Sequence, residues 1–132
     1  EAEILPGKAW EIMRATRFCI AVSGTVTLEL AYFRRPMVIV YRAPWLARPF
    51  VPLVLHTRFG LVNVVAGREI CPERLLFRSN PKPVAEAALR LLQDEDAWQQ
   101  QVRDLEEVMR LVGEPGASDR AAEAVIDLAK GL

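Results

Sequence analysis

The chain has 132 residues, 52% of them apolar, with 17 basic residues balancing 17 acidic ones. That length supports one domain with a real core, and the apolar content excludes a disordered segment. Zero formal net charge argues against a nucleic-acid-binding domain, yet leaves room for a local anion site built from backbone N–H groups.

Neither Cys19 nor Cys71 belongs to a CxxC pair, so both are expected as free thiols in a reducing compartment. The single histidine, His56, cannot anchor a histidine-based metal site. No signal peptide is evident, and no apolar run approaches the ~18 residues of a membrane span. The chain opens on "EAEILPGKAW" without a methionine and closes on "AVIDLAKGL". The expectation is a C-terminal piece of something longer.

In chain order, "KAWEIMRATR" reads as a short helix with Trp10, Ile12 and Met13 on one face. "FCIAVS" (18–23) is an unbroken apolar run, as in a parallel strand buried on both faces. "TVTLELAYFRR" (25–35) carries Leu28, Ala31 and Tyr32 at helical spacing. "PMVIVYR" (36–42) is a second strand, rich in β-branched residues. Pro44, Pro49 and Pro52 break any helix over 43–58. A third strand is expected over 59–63, and "CPERLLF" reads as a short helix with Pro72 in its first turn.

Three helices end the chain, over about 81–130. In 81–93 the apolar stripe is Val84, Ala87, Ala88, Leu91 and Leu92, with Asn80 as the cap. In 95–112 it is Trp98, Val102, Leu105, Val108, Met109 and Val112, stopped by Gly113. In 118–130 it is Ala121, Ala122, Val125, Ile126 and Ala129. Strand–helix alternation with unbroken apolar strands predicts an α/β class, a Rossmann-like parallel sheet with flanking helices. Only about three strands are visible, and edge strands are expected upstream.

The turn "SGTVTLE" (23–29) follows the first strand, where open α/β sheets bind ligands. Gly24 allows close approach, Ser23 and Thr25 add hydroxyls, and the helix start favours an anion such as phosphate. A carboxylate at Glu29 then suits ribose hydroxyls. Together they suit a nucleoside diphosphate. The same residues also read as a helix cap and a solvated glutamate, and that alternative stays open at this point. Asp94, Glu95 and Asp96 read as solvated charge.

"AVSGTVTLELAYFRRPMVIVYR", followed by "LVNVVAGREICPERL", resembles the lipid-A-disaccharide synthase family, bacterial glycosyltransferases of the two-domain GT-B type. The resemblance spans residues 1–132 and implies the C-terminal nucleotide-sugar-binding domain, without the N-terminal acceptor domain. The family transfers a diacylglucosaminyl unit from UDP to a lipid-linked glucosamine phosphate, with inversion and without a metal ion or other cofactor. The resemblance implies that Ser23, Gly24 and Thr25 face the diphosphate and Glu29 the ribose. It places Tyr41 and Arg42 near the donor, Asn63 by the nucleotide sugar, and Gly67, Arg68 and Glu69 at the interdomain cleft. No catalytic residue is expected in this chain. The implied location is cytoplasmic, peripheral to the inner membrane.

Two features depart from the family pattern. Gly60-Leu61-Val62 replaces its Ser-Leu-Pro, and the proline-rich 43–58 stretch carries fewer basic residues. Trp45, Leu46, Phe50 and Val51 are candidates for a lipid contact or a covered sheet edge. Asn63 also reads as a turn residue, and Arg42 and Arg68 as ion-pair partners of Glu69 or Glu73. The alternatives are a related GT-B glycosyltransferase or epimerase with another sugar, or a non-catalytic α/β association module.

Overall fold

The computed structural model describes residues 2–42, 58–76, 80–113 and 116–130. The broken helix expected around Pro44, Pro49 and Pro52, the contacts of Trp45, Leu46, Phe50 and Val51, and His56 lie outside them. The elements are α1 (Ala9–Ala15), β1 (Cys19–Val22), α2 (Val26–Tyr32), β2 (Met37–Arg42) and α3 (Leu61–Ala66). They continue as β3 (Glu73–Leu76), α4 (Lys82–Gln93), α5 (Glu95–Val112) and α6 (Ala117–Lys130).

The three strands form one parallel sheet in the order β1-β2-β3. Cys19 lies beside Met37, and Ile39 beside Glu73. The two-residue period then assigns the faces. One face carries Ala21, Met37 and Ile39, which pack with Met13, Leu30, Ala31, Val62, Ile70, Cys71, Leu105 and Val108. The other carries Val38 and Val40, covered by Val84 and Ala87 of α4. This second face is left open over β1, where Ile20 is 57% and Val22 70% exposed. The expectation of a first strand buried on both faces therefore fails on one of them.

Buried polar groups tie the helix layer to the sheet. Gln101 of α5 is 3% exposed. Its Oε1 accepts from the Met37 N–H at 2.8 Å, and its Nε2 donates to the Met37 and Ile70 carbonyls at 3.3 and 2.9 Å. Arg35 closes the end of α1, donating to the Met13 and Arg14 carbonyls.

The expected third strand over 59–63 is instead the start of helix α3. Val62, Val64 and Val65 favour a strand by propensity, but the helix buries Val62 against the first face. Tertiary packing overrides the local preference. Gly67 closes α3 at φ 68°, a left-handed position that suits glycine. The actual third strand, β3, lies in the expected short helix. Pro72 does not start a helix turn; it stands just before the strand, where its missing N–H costs nothing. Its carbonyl accepts from Ile39 N at 2.8 Å.

Helix faces also shift. Of the Trp10, Ile12 and Met13 face only Met13 is buried. Helix α2 buries Thr27, Leu30 and Ala31, while Tyr32 is 63% exposed and stacks edge-on with Phe33. Helix α5 turns Gln101 and Asp104 inward alongside Trp98, Leu105 and Val108, and Val112 outward. Asn80 Oδ1 accepts from Lys82 N, and Asp94 Oδ1 accepts from Ala97 N. Asp94 is thus an N-cap as well as an exposed charge. Helix α6 carries its apolar stripe with no buried residue.

Gln101→Leu strands the buried Met37 N–H without an acceptor. Stability measured by urea denaturation should fall by about 1–3 kcal/mol with the slope of the transition unchanged.

Candidate functional site

The turn after β1 is held in place by its own polar groups. Thr27 Oγ1 donates to the Gly24 carbonyl at 2.9 Å, and Thr27 N donates to the same oxygen. Gly24 sits at φ 145°, with nothing within 4 Å of where a Cβ would stand. Its backbone conformation therefore demands glycine, while the space beside it is open. The Leu28 and Glu29 amides bond back to the Thr25 carbonyl, and α2 starts there.

Ser23 Oγ donates to the Phe59 carbonyl at 3.0 Å. That bond joins the turn to the start of α3. The Thr25 hydroxyl, the Glu29 carboxylate and the Arg42 guanidinium have no hydrogen-bond or ion-pair partner among the described residues. Arg42 ends β2 and is exposed. Since β1 and β2 are parallel and in register, their carboxyl ends bring the turn and Tyr41–Arg42 to one edge of the sheet.

Sequence reasoning missed the residue that organises this edge. Glu73, the first residue of β3, points its carboxylate at the start of α3. Oε2 accepts from Phe59 N at 3.1 Å, and Oε1 accepts from Gly60 N at 3.0 Å and Asn63 Nδ2 at 2.7 Å. A carboxylate accepting from a helix's first N–H groups is favoured by the dipole as well as by the bonds. The sequence shows Glu73 within the "LVNVVAGREICPERL" block and offers it as an ion-pair partner of Arg42 or Arg68, but a glutamate just after Pro72 fits a helix start equally well.

Asn63 is fully buried. Its Oδ1 accepts from the Ile70 and Cys71 amides, both at 2.9 Å, and its Nδ2 donates to Cys71 O and Glu73 Oε1. Two lone pairs and two N–H donors fill the capacity of the amide. Asn63 is therefore committed to the protein here, as a support for Glu73.

Tyr41 lies on the inner face of β2, its ring edge-on to Phe59 at 5.1 Å. Its hydroxyl oxygen is buried and has no partner of hydrogen-bonding geometry among the described residues. Burial pushes this phenol up to about 12, opposed by the nearby Ser23 hydroxyl and reinforced by the Glu73 carboxylate. The group is a protonated donor throughout the physiological range.

Gly67, Arg68 and Glu69 lie at the opposite end of α3 from Phe59 and are not brought to the turn. Arg68 does not pair with Glu69 or Glu73. Its guanidinium grips Asp104 of α5 with two bonds, at 3.2 and 2.8 Å, and reaches Glu107 at 3.2 Å. Burial pushes the Asp104 carboxyl up, but hydrogen bonds from Arg68 and Gln100 and the Arg68 charge hold it below its ordinary value. Glu69 Oε1 accepts from Glu73 N at 3.1 Å. Cys19 and Cys71 are both free thiols. Burial drives the Cys71 thiol far up, and nearby acids reinforce it, so the thiolate is not accessible.

Gly60, where the sequence departs from Ser-Leu-Pro, has a packing reason. A Cβ there would stand 2.5 Å from Ile39 Cδ1 and 3.2 Å from Glu73 Oε1. The large side chain at position 39 takes the space that a serine would need.

A parallel sheet flanked by helices, with a polar turn at the carboxyl edge, defines a Rossmann-like α/β unit. A family model described as lipid-A-disaccharide synthetase matches residues 2–127. The chain is 38% identical over 127 residues to the lipid-A-disaccharide synthase of Anaeromyxobacter dehalogenans, covering 96% of this chain and 33% of that protein. It is 37% identical over 121 residues to that of Persephonella marina, covering 91% and 32%. Against that of Burkholderia mallei it is 38% identical over 125 residues, covering 90% and 31%. The chain belongs to the lipid-A-disaccharide synthase family. It spans about a third of the length of the curated relatives it matches. Among the described residues no helix is long and apolar enough to cross a membrane.

Two outcomes follow from this geometry. Gly60→Ala should lower stability by about 1–3 kcal/mol in urea, because fully buried Ile39 has to move. The depressed Asp104 carboxyl contributes stability that is present above the ordinary carboxylate range and lost in acid. The urea midpoint of the parent should therefore exceed that of Asp104→Asn near neutrality. The gap should close as the pH falls below about 4.

Proposed function

We propose that this chain is the donor-binding part of a lipid-A-disaccharide synthase, with a UDP-sugar held at the carboxyl edge of the sheet. The diphosphate lies on the 23–25 turn, where the Thr25 hydroxyl and the first amides of α2 face it. The ribose hydroxyls donate to Glu29. Arg42 supplies positive charge from the neighbouring strand, and the Tyr41 hydroxyl stands behind Ser23 as a protonated donor. Gly67, Arg68 and Glu69 support the site from the far end of α3, and Asn63 supports it through Glu73.

The single observation that carries this reading is the set of uncommitted groups at one edge. Thr25, Glu29 and Arg42 have no partner among the described residues, while nearly every polar side chain behind them is satisfied. A hydroxyl and helix-start amides, a carboxylate one turn later and a cation at the end of the next strand, all uncommitted, suit a ligand with phosphates and hydroxyls.

In this reading the parent enzyme transfers a diacylglucosaminyl unit from UDP to a lipid-linked glucosamine 1-phosphate, inverting the sugar and using no metal. The general base comes from the part of the protein that binds the acceptor, since it must sit within hydrogen-bond reach of the acceptor hydroxyl. This chain by itself binds UDP weakly and transfers nothing. Contact with the inner membrane is peripheral and serves the lipid-linked substrates.

A UDP titration followed by two-dimensional NMR tests the site. Shifts should cluster on residues 23–29, exceed those given by ADP, and weaken about tenfold or more in Glu29→Ala, the loss of a charge-assisted bond. Equal responses to UDP and ADP, or none at millimolar UDP, would sink the reading.

A further inference from the structure

The hydroxyl of Ser23 has one proton, and it is directed at the Phe59 carbonyl. With the proton committed there, Ser23 Oγ turns only lone pairs toward the open side of the turn. Such an oxygen repels phosphate oxygens and accepts from a ligand O–H or N–H. What decides its orientation is therefore the position of the Phe59 carbonyl.

That carbonyl is not free to move. The same residue's N–H and the N–H of Gly60 both donate to the Glu73 carboxylate. Glu73 is fixed in turn by Asn63 from the side and by its own N–H, which donates to Glu69 Oε1. The Tyr41 ring packs on the Phe59 ring. A Cβ at Gly60 would stand 2.5 Å from Ile39 Cδ1, so the backbone at this junction comes close to β2 without a side chain between them.

We propose that Glu73 is a positioning residue for the donor turn: by holding Phe59–Gly60 it fixes the Ser23 proton on the Phe59 carbonyl and makes Ser23 an acceptor for a ligand hydroxyl rather than a donor to phosphate. The inference rests on the donor-site reading above and deepens it. Phosphate recognition then falls to Thr25 and the α2 amides, while Ser23 and Glu29 both accept from sugar hydroxyls. Without the Glu73 carboxylate the Phe59–Gly60 peptide can rotate and the Ser23 proton is released.

The test is a double-mutant cycle on UDP affinity, read by NMR titration of the chain and its Glu73→Gln, Ser23→Ala, Glu73→Gln/Ser23→Ala and Glu29→Ala forms. Glu73→Gln should weaken UDP binding about tenfold in the parent and hardly at all in the Ser23→Ala background. A merely structural Glu73 would give the same penalty in both backgrounds, and that additivity overturns the inference. If Glu29→Ala weakens binding while Glu73→Gln does not, the donor site stands and the positioning role falls. If the parent does not respond to UDP at all, both fall together.

Should Glu73→Gln fail to fold, the parent and Ser23→Ala decide the matter. UDP should shift the Phe59 and Gly60 amides in the parent, and those shifts should vanish in Ser23→Ala. Shifts at Phe59 and Gly60 that persist in Ser23→Ala would refute the coupling.

Discussion

The side-chain amide of Asn63 is the constraint on which the site end of this fold depends. It is wholly buried, and each of its hydrogen-bonding positions is used. Two of the bonds hold the Ile70 and Cys71 amides, which bring the chain from the end of α3 into β3. One holds the Cys71 carbonyl, and the last holds Glu73. A buried amide with a missing partner would be expensive, so the four bonds stand or fall as a set. The helix start, the strand entry and the Phe59–Gly60 junction therefore share one geometry. The sheet supplies the platform, but this side chain decides where α3 begins relative to it.

A second anchor sits at the other end. Gln101 and Asp104 lie one turn apart on α5 and turn inward where an apolar stripe was expected to suffice. Gln101 satisfies β2 backbone, and Asp104 takes the Arg68 fork. Arg68 is half exposed, so its charge is partly screened, and the strength of the pair lies in its bidentate geometry and in the burial of Asp104. Helix α5 is thus fixed in rotation by polar bonds as well as by Leu105 and Val108. The "AGRE" block serves this anchor through Gly67 and Arg68 and reaches the carboxyl edge of the sheet only indirectly, through Glu69 and Glu73.

What the sequence made legible were the features written in period and punctuation. The runs "CIAV" and "MVIVYR" are parallel strands, the 81–93 and 95–112 stripes are helices, and the turn between β1 and α2 lies at the carboxyl edge. The β2–β3 connection was misread because β-branched residues dominate α3 and a proline precedes β3. Each local signal points away from the fold, and only long-range packing and the Glu73 cap reverse it. The outward turn of Tyr32 and the inward turn of Thr27 are also invisible to periodicity, since Thr27 is buried to bond the Gly24 carbonyl. Glu73 was hidden because its role comes from a partner thirteen residues earlier. Spacing along a chain does not reveal which backbone amides a carboxylate will meet.

The uncovered side of β1 has a consequence for the mouth of the site. Among the described residues β1 pairs only with β2, so along its other edge its backbone groups have no described partner strand, and Ile20 and Val22 stand exposed beside them. An open edge of this kind templates the addition of another strand. β1 runs straight into Ser23 and Gly24, so a strand laid along it in parallel would end next to that turn. Whatever pairs there, from this protein or another, becomes a wall of the Ser23–Gly24 turn. The space beside Gly24 is then bounded on that side by the neighbour of β1 and not by the turn alone.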